Sequence, residues 1–165
     1  MAEKEQLDTI YQEIWKINKM AVTFTNNFKN ILDKLESLLE SEFKGSLPIH
    51  KGTPIPNGVN QALQLMPVGS TLKDYMTNSE TREFSVSIKF LFNEININEK
   101  ALDHILRQVS RIEALVHDNM IMTLLDANST KVSECRLEST QLNADEELGI
   151  YIVNFDYKCL HTITF

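Results

Sequence analysis

Apolar residues open the chain in an unbroken 3-4-3-4 rhythm: Leu7, Ile10, Ile14, Ile17, Ala21, Phe24, Phe28, Ile31, Leu35 and Leu38, with Gln, Glu, Lys, Asn and Asp between them. An apolar residue at every a and d position of successive heptads predicts an amphipathic helix over residues 5–43. Unbroken, it would run about 57 Å, whereas a globule of this length is about 30–35 Å across. Such a helix overhangs its own domain and offers its stripe to another chain. The weak point is the run Val22-Thr23-Phe24-Thr25-Asn26-Asn27, where β-branched residues and two Asn lower helix propensity. A break there gives two helices of ordinary length, and the pattern leaves both options open.

The material changes at residue 44. All four prolines (Pro48, Pro54, Pro56, Pro67) and four of the five glycines (Gly45, Gly52, Gly58, Gly69) fall between positions 45 and 69. That punctuation argues against a long helix or a central strand and predicts a Pro/Gly-rich loop over 44–80, with a short turn or strand near 61–66. Its Ile55, Val59, Leu63, Leu65, Met66 and Val68 are too apolar for a purely solvated linker, so the loop is expected to order against a neighbour.

From residue 83 the period becomes two. Phe84, Val86, Ile88, Phe90 and Phe92 alternate with Ser85, Ser87, Lys89, Leu91 and Asn93, a strand with one face in the core. Asn98 is a candidate N-cap for the next helix, whose stripe is Leu102, Ile105, Leu106, Val109, Ile112, Leu115 and Val116. A polar strand over 131–142 suits a sheet edge. The acidic turn at 143–147 leads into a last strand with Tyr151, Val153, Phe155, Tyr157, Cys159, His161, Ile163 and Phe165 on one face. The expected fold class is α+β: a long N-terminal amphipathic helix, with the break near 22–27 undecided, and a small, mainly antiparallel sheet with a packed helix in a β-α-β-β core. The divisions are 1–43 (heptad-patterned helix), 44–80 (loop) and 81–165 (α+β core), the first and last forming one compact domain.

Charge narrows the function classes. The 165 residues carry 16 basic and 23 acidic side chains, a net charge of −7. With a pI near 5.1 and no dense Lys/Arg cluster, direct sequence-specific nucleic-acid binding is not expected. No apolar run reaches the ~20 residues that span a bilayer, and the charged opening Met1-Ala2-Glu3-Lys4-Glu5 is unlike a signal peptide. Two cysteines make no disulfide framework and point to a reducing compartment.

Catalytic constellations are missing from the pattern. The glycines form no phosphate-binding loop, and His50, His104, His117 and His161 lack metal-ligand spacing. With the hairpin loop centred near Asp145-Glu146, Cys135 should face residues 155–157, so a disulfide to Cys159 would need a register slip. We expect no enzyme, no cofactor and no bound metal.

The block from Arg82 onward carries a resemblance. A strand ends in Asn93-Glu94-Ile95; a helix contains Ala101-Leu102-Asp103-His104-Ile105-Leu106 and Ser110-Arg111-Ile112-Glu113; a polar strand and an acidic turn, Glu147-Leu148-Gly149, precede Tyr151-Ile152-Val153-Asn154-Phe155-Asp156-Tyr157. In element order and residue texture this half of the chain resembles the tail-terminator and minor-capsid (neck) proteins of tailed bacteriophages. The resemblance implies a virion protein, assembled in the host bacterial cytoplasm, that forms a six-fold homo-oligomeric ring. It would cap the tail tube and join it to the neck or head connector. Candidate subunit and partner contacts are Leu7, Ile10, Ile14, Ile17 and Phe24 on the heptad stripe, Ile55, Val59, Leu63, Met66 and Val68 in the 44–80 stretch, and Arg107 and Arg111 on the second helix, together with the strand at 131–142. The alternative is a cytosolic coiled-coil adaptor or chaperone that oligomerises through residues 7–38.

Overall fold

A computed structural model describes residues 24–94, 98–145 and 147–164. In chain order the elements are α1 (Asn27–Phe43), β1 (Ile49–Lys51), β2 (Gln61–Met76), β3 (Ser79–Asn93), α2 (Glu99–Asp118), β4 (Met122–Thr123), β5 (Lys131–Asp145) and β6 (Ile150–Thr164). The strands form one sheet in the order β1-β2-β3-β6-β5-β4. Only β1 and β2 run parallel; every other pair is antiparallel. Strands make up 48% of the described residues, and the sheet curls into a half-barrel.

This corrects the expected fold class in two places. The first is the helix. Residues 24–26 are not helical, and α1 begins at Asn27, where the Asn26 side chain accepts the Lys29 backbone N–H at 3.0 Å. An N-cap of this kind satisfies a backbone donor that would otherwise lie orphaned, and it starts a helix rather than letting one pass through. No helix therefore runs unbroken across the weak point. The stripe downstream of it turns inward: Ile31 and Leu35 are buried in the core, and Phe28 and Leu38 pack partly buried against it. Leu7, Ile10, Ile14 and Ile17 lie outside the described residues. Lys44, in left-handed conformation at φ 49°, closes α1 through its N–H to the Glu40 carbonyl at 2.8 Å.

The second correction is the sheet, which is larger than a β-α-β-β core. Most of the stretch read as a loop is strand: β2 runs 16 residues and pairs with β3 over nearly its whole length. Pro67 is tolerated because β2 is an outer strand beyond Leu65, where the short β1 stops, and because a bulge follows it at Val68. A second bulge falls between Leu72 and Asp74. Each inserts one residue, so Leu63, Leu65, Ser70, Leu72 and Tyr75 all stay on the helix-facing side although their numbering changes parity.

The core is one cluster between that side and the two helices. Register stacks Phe84 on Cys159, Val86 on Tyr157, Ile88 on Phe155 and Phe90 on Val153, cross-strand pairs that fix the pairing of the two central strands. Asn98 caps α2, accepting from the Ala101 N–H at 2.9 Å. The buried line of α2 is Ala101, Ile105, Ile112 and Val116, while Leu102 and Leu106 are exposed, a rotation of the predicted stripe. Lys51 on β1 reaches both Asp33 and Glu36, which ties the sheet edge to α1.

One register expectation also changes. On β5, Ser133 pairs with Leu160 and Arg136 with Lys158, so Glu134 and Cys135 together face Cys159. Glu134 takes the left-handed conformation, φ 51°, that this bulge needs. The slip that a direct Cys135–Cys159 contact requires is built into the strand.

Candidate interaction surface

The polar groups of the described residues do not converge on a reaction centre. No three His, Cys, Asp or Glu among them are placed to hold a metal ion. An open groove of about 430 Å³ runs between α2 and β5, lined by Glu113, His117, Arg136, Glu138 and Thr140. Thr140 donates to Glu113 at 2.9 Å, and Arg136 is engaged by carboxylates. Arg136 bonds Glu83 at 2.8 Å and Glu138 at 2.7 Å, and Lys73 meets the second Glu83 oxygen at 3.0 Å. The Arg136 and Lys73 contacts hold the Glu83 carboxyl below the usual range. An acid neutralised from two sides is a clamp between β2, β3 and β5, not a proton-transfer group. His104 meets Gln61 at 3.3 Å and packs its ring on Phe92.

What the surface offers instead is apolar area at both borders of the sheet. On the β2 side Val68, Leu72, Tyr75 and Met76 are exposed, Val68 at 66%. On the β4 side, at the opposite end of the strand order, Met120, Ile121 and Leu125 are exposed, Ile121 at 67%. Isolated apolar residues are ordinary on a surface; here they gather in two sets at opposite borders of the sheet. The backbone edges themselves are blunted. β2 carries Pro67, Lys73 and two bulges, and β5 carries two bulges. These features discourage indiscriminate strand addition, so side-chain contact is the chemistry these borders favour.

The predicted contact residues separate into groups. Phe24 is 82% exposed just ahead of α1. Met66 and Val68 are exposed on the outer strand, whereas Ile55 and Val59 are half-buried in the segment between β1 and β2. Leu63 is fully buried and belongs to the core, not to a surface. Arg107 pairs with Asp103 at 2.8 Å along α2. Arg111 holds the two helices together: its guanidinium donates to the Glu42 carboxylate at 2.8 Å and carbonyl at 3.0 Å and lies 4.6 Å from the Phe43 ring centroid. Sequence reasoning passed over Leu72, Tyr75, Met76, Met120, Ile121 and Leu125. The first three fall within the predicted 44–80 loop, and the last three in a short apolar run, Met120–Leu125, that fits a helix end and a strand equally well.

No protein family and no curated protein matches the chain. Solved structures do. One is a chain from the virion of a native gene transfer agent particle, 7% identical, with a TM-score of 0.58 over 85% of this chain and 100% of that one. A second solved chain, described by a sequence identifier alone, is 12% identical with a TM-score of 0.54 over 86% of this chain and 99% of that one. At these identities the likeness is one of fold.

Proposed function

We propose that the protein is a structural subunit of a phage-like virion, of tail-terminator type, that forms a closed ring by joining the β2 border of one copy to the β4 border of the next. The observation that carries this reading is the pair of exposed apolar sets at opposite borders of one sheet. Two different patches meeting head to tail make a heterologous interface, and such interfaces close into rings when the rotation allows it. The fold shared with a chain of a gene transfer agent virion supports the virion setting. The resemblance read from residues 82–157 supports the terminator role, with tail tube and neck proteins as docking partners and six as the ring order. In this reading the protein works through geometry: it has no catalytic residues and needs no cofactor. A coiled coil through residues 7–38 is the weaker reading, because Ile31 and Leu35 are already occupied inside the fold.

The test is mass photometry and sedimentation of the full chain. The expected result is a discrete species at an integral multiple of 18.9 kDa, dispersed to monomers by the double substitution Val68→Asp and Met76→Asp with the circular-dichroism spectrum unchanged. A wild-type monomer at every concentration that also fails to bind the ends of isolated tail tubes overturns the reading.

A further inference from the structure

The two thiols stand in an arrangement that assembly does not require. The β5 bulge between Leu137 and Ser139 shifts the register by one residue, so Cys135 lies opposite Cys159 rather than Leu160 on the neighbouring strand, and both thiols are free and buried. The Cys135 thiol donates to the Val132 carbonyl at 4.0 Å, and the two thiols and the Tyr157 hydroxyl perturb one another electrostatically. That hydroxyl also lies 3.8 Å from Met122 Sδ, so the pair sits in a pocket of soft, polarisable atoms. The Cys135 backbone is pinned by its N–H to the Met120 carbonyl at 3.0 Å. Cys135, unlike Cys159, lines the open groove between α2 and β5.

We propose that Cys135 and Cys159 are a disulfide-forming modification site, which takes small thiol oxidants through the groove and closes a bond between β5 and β6. This inference does not rest on the ring reading. Facing residues on neighbouring antiparallel strands lie close enough for a disulfide when their Cβ atoms approach; a one-residue offset does not, and the bulge removes that offset. Cys135 is the attacking thiol because it borders the groove through which an oxidant enters, whereas Cys159 does not line it and its thiol pKa is raised by the neighbouring Cys135 and by burial. The thiolate is the competent nucleophile.

With a small disulfide as oxidant, the Cys135 thiolate attacks one of its sulfurs and expels the other half as a thiolate. The Cys159 sulfur, giving up its proton, then attacks the Cys135 sulfur of the mixed disulfide and expels the second half. Two protein thiols are oxidised to one disulfide, and the oxidant is reduced to two thiols that carry off the two protons. A protein made in a reducing compartment and later exposed to an oxidising one would acquire this bond after folding.

The experiment treats the native full chain with 2-hydroxyethyl disulfide, blocks remaining thiols after unfolding, and maps tryptic peptides. Cleavage after Lys131, Arg136 and Lys158 isolates the two cysteines on separate peptides, Val132–Arg136 and Cys159–Phe165. The expected product is these two peptides linked in a monomer that has lost two hydrogens, with a melting temperature about 5 °C or more above the reduced form. Cys135→Ser removes both effects, and the wild-type map stands alone if that variant folds poorly. Two blocked thiols, a mixed disulfide that persists on Cys135, or a bond between two chains would each overturn the proposal.

Discussion

Replacing Leu35 with alanine removes three carbons from a side chain that is 3% exposed at the middle of α1. At about 0.8 kcal/mol per buried methylene, the transfer loss is roughly 2.4 kcal/mol. A gap of about 10 Å³ already lies beside it, walled by Leu39, Ile88, Val116, Met122 and Tyr157. The vacated space joins that gap between a rigid sheet and two helices, so little of it collapses, and the total rises to about 3–4 kcal/mol. At about 2–4 °C per kcal/mol for a chain of this size, the melting temperature falls by about 6–16 °C. The assay is thermal unfolding of parent and Leu35→Ala over a hundredfold range of protein concentration. Because Leu35 packs within its own chain, the difference between the two midpoints stays constant across that range. A seam packed between chains would instead make the difference shrink on dilution, since association couples to stability by mass action and its contribution vanishes as both proteins dissociate. A shift under about 2 °C, or one that depends on concentration, refutes the intramolecular placement of the stripe.

Two further outcomes follow from the buried and paired polar groups. His161 is 3% exposed, with neither ring nitrogen partnered among the described residues, and burial lowers its pKa from 6.5, opposed in part by Asp126. The unfolded chain therefore binds the proton first, and stability present above about pH 6.5 is lost as the pH falls toward the folded value. Chemical denaturation of His161→Leu between pH 7.5 and 4 should lack the loss that begins near 6.5. It should keep the separate loss at lower pH, where Asp33 and Glu83, both held below the ordinary carboxylate range by their Lys and Arg partners, take up protons. At neutral pH this variant should be at least as stable as the parent, because it removes unsatisfied buried nitrogens. Arg111→Ala breaks a partly exposed ion pair and the guanidinium contact with Phe43; it should cost about 1 kcal/mol by urea denaturation, with part of the effect lost in high salt.

The clamp around Glu83 and the pair of blunted edges bear on the same question, how a curled open sheet avoids uncontrolled association. Lys73, Glu83 and Arg136 draw β2, β3 and β5 together across the sheet, while bulges and Pro67 deny a regular ladder to a passing strand. In the proposed ring, contact between copies would then fall to side chains such as Val68, Met76 and Ile121, whose identity can be selective where backbone pairing is not.

Local pattern alone determined the elements whose period was unbroken. The alternation from Phe84 to Phe92 and from Tyr151 to His161 marked two strands and their buried faces, because side chains along a strand alternate whatever the strand pairs with. Asn98 marked a helix start for the same reason: an N-cap is satisfied within a few residues. The tertiary structure decided everything that depended on a neighbour. Whether Pro67 ended a strand or sat harmlessly on one turned on that edge having no partner strand beyond Leu65 among the described residues. Whether Ile31 and Leu35 faced another chain or their own sheet turned on the cap at Asn26 and on the core waiting beneath. Cys135 met Cys159 only because β5 bulges, a slip of one residue that strand pairing creates and no periodicity records. Periodicity reports which face a residue takes; only the folded chain settles what that face touches.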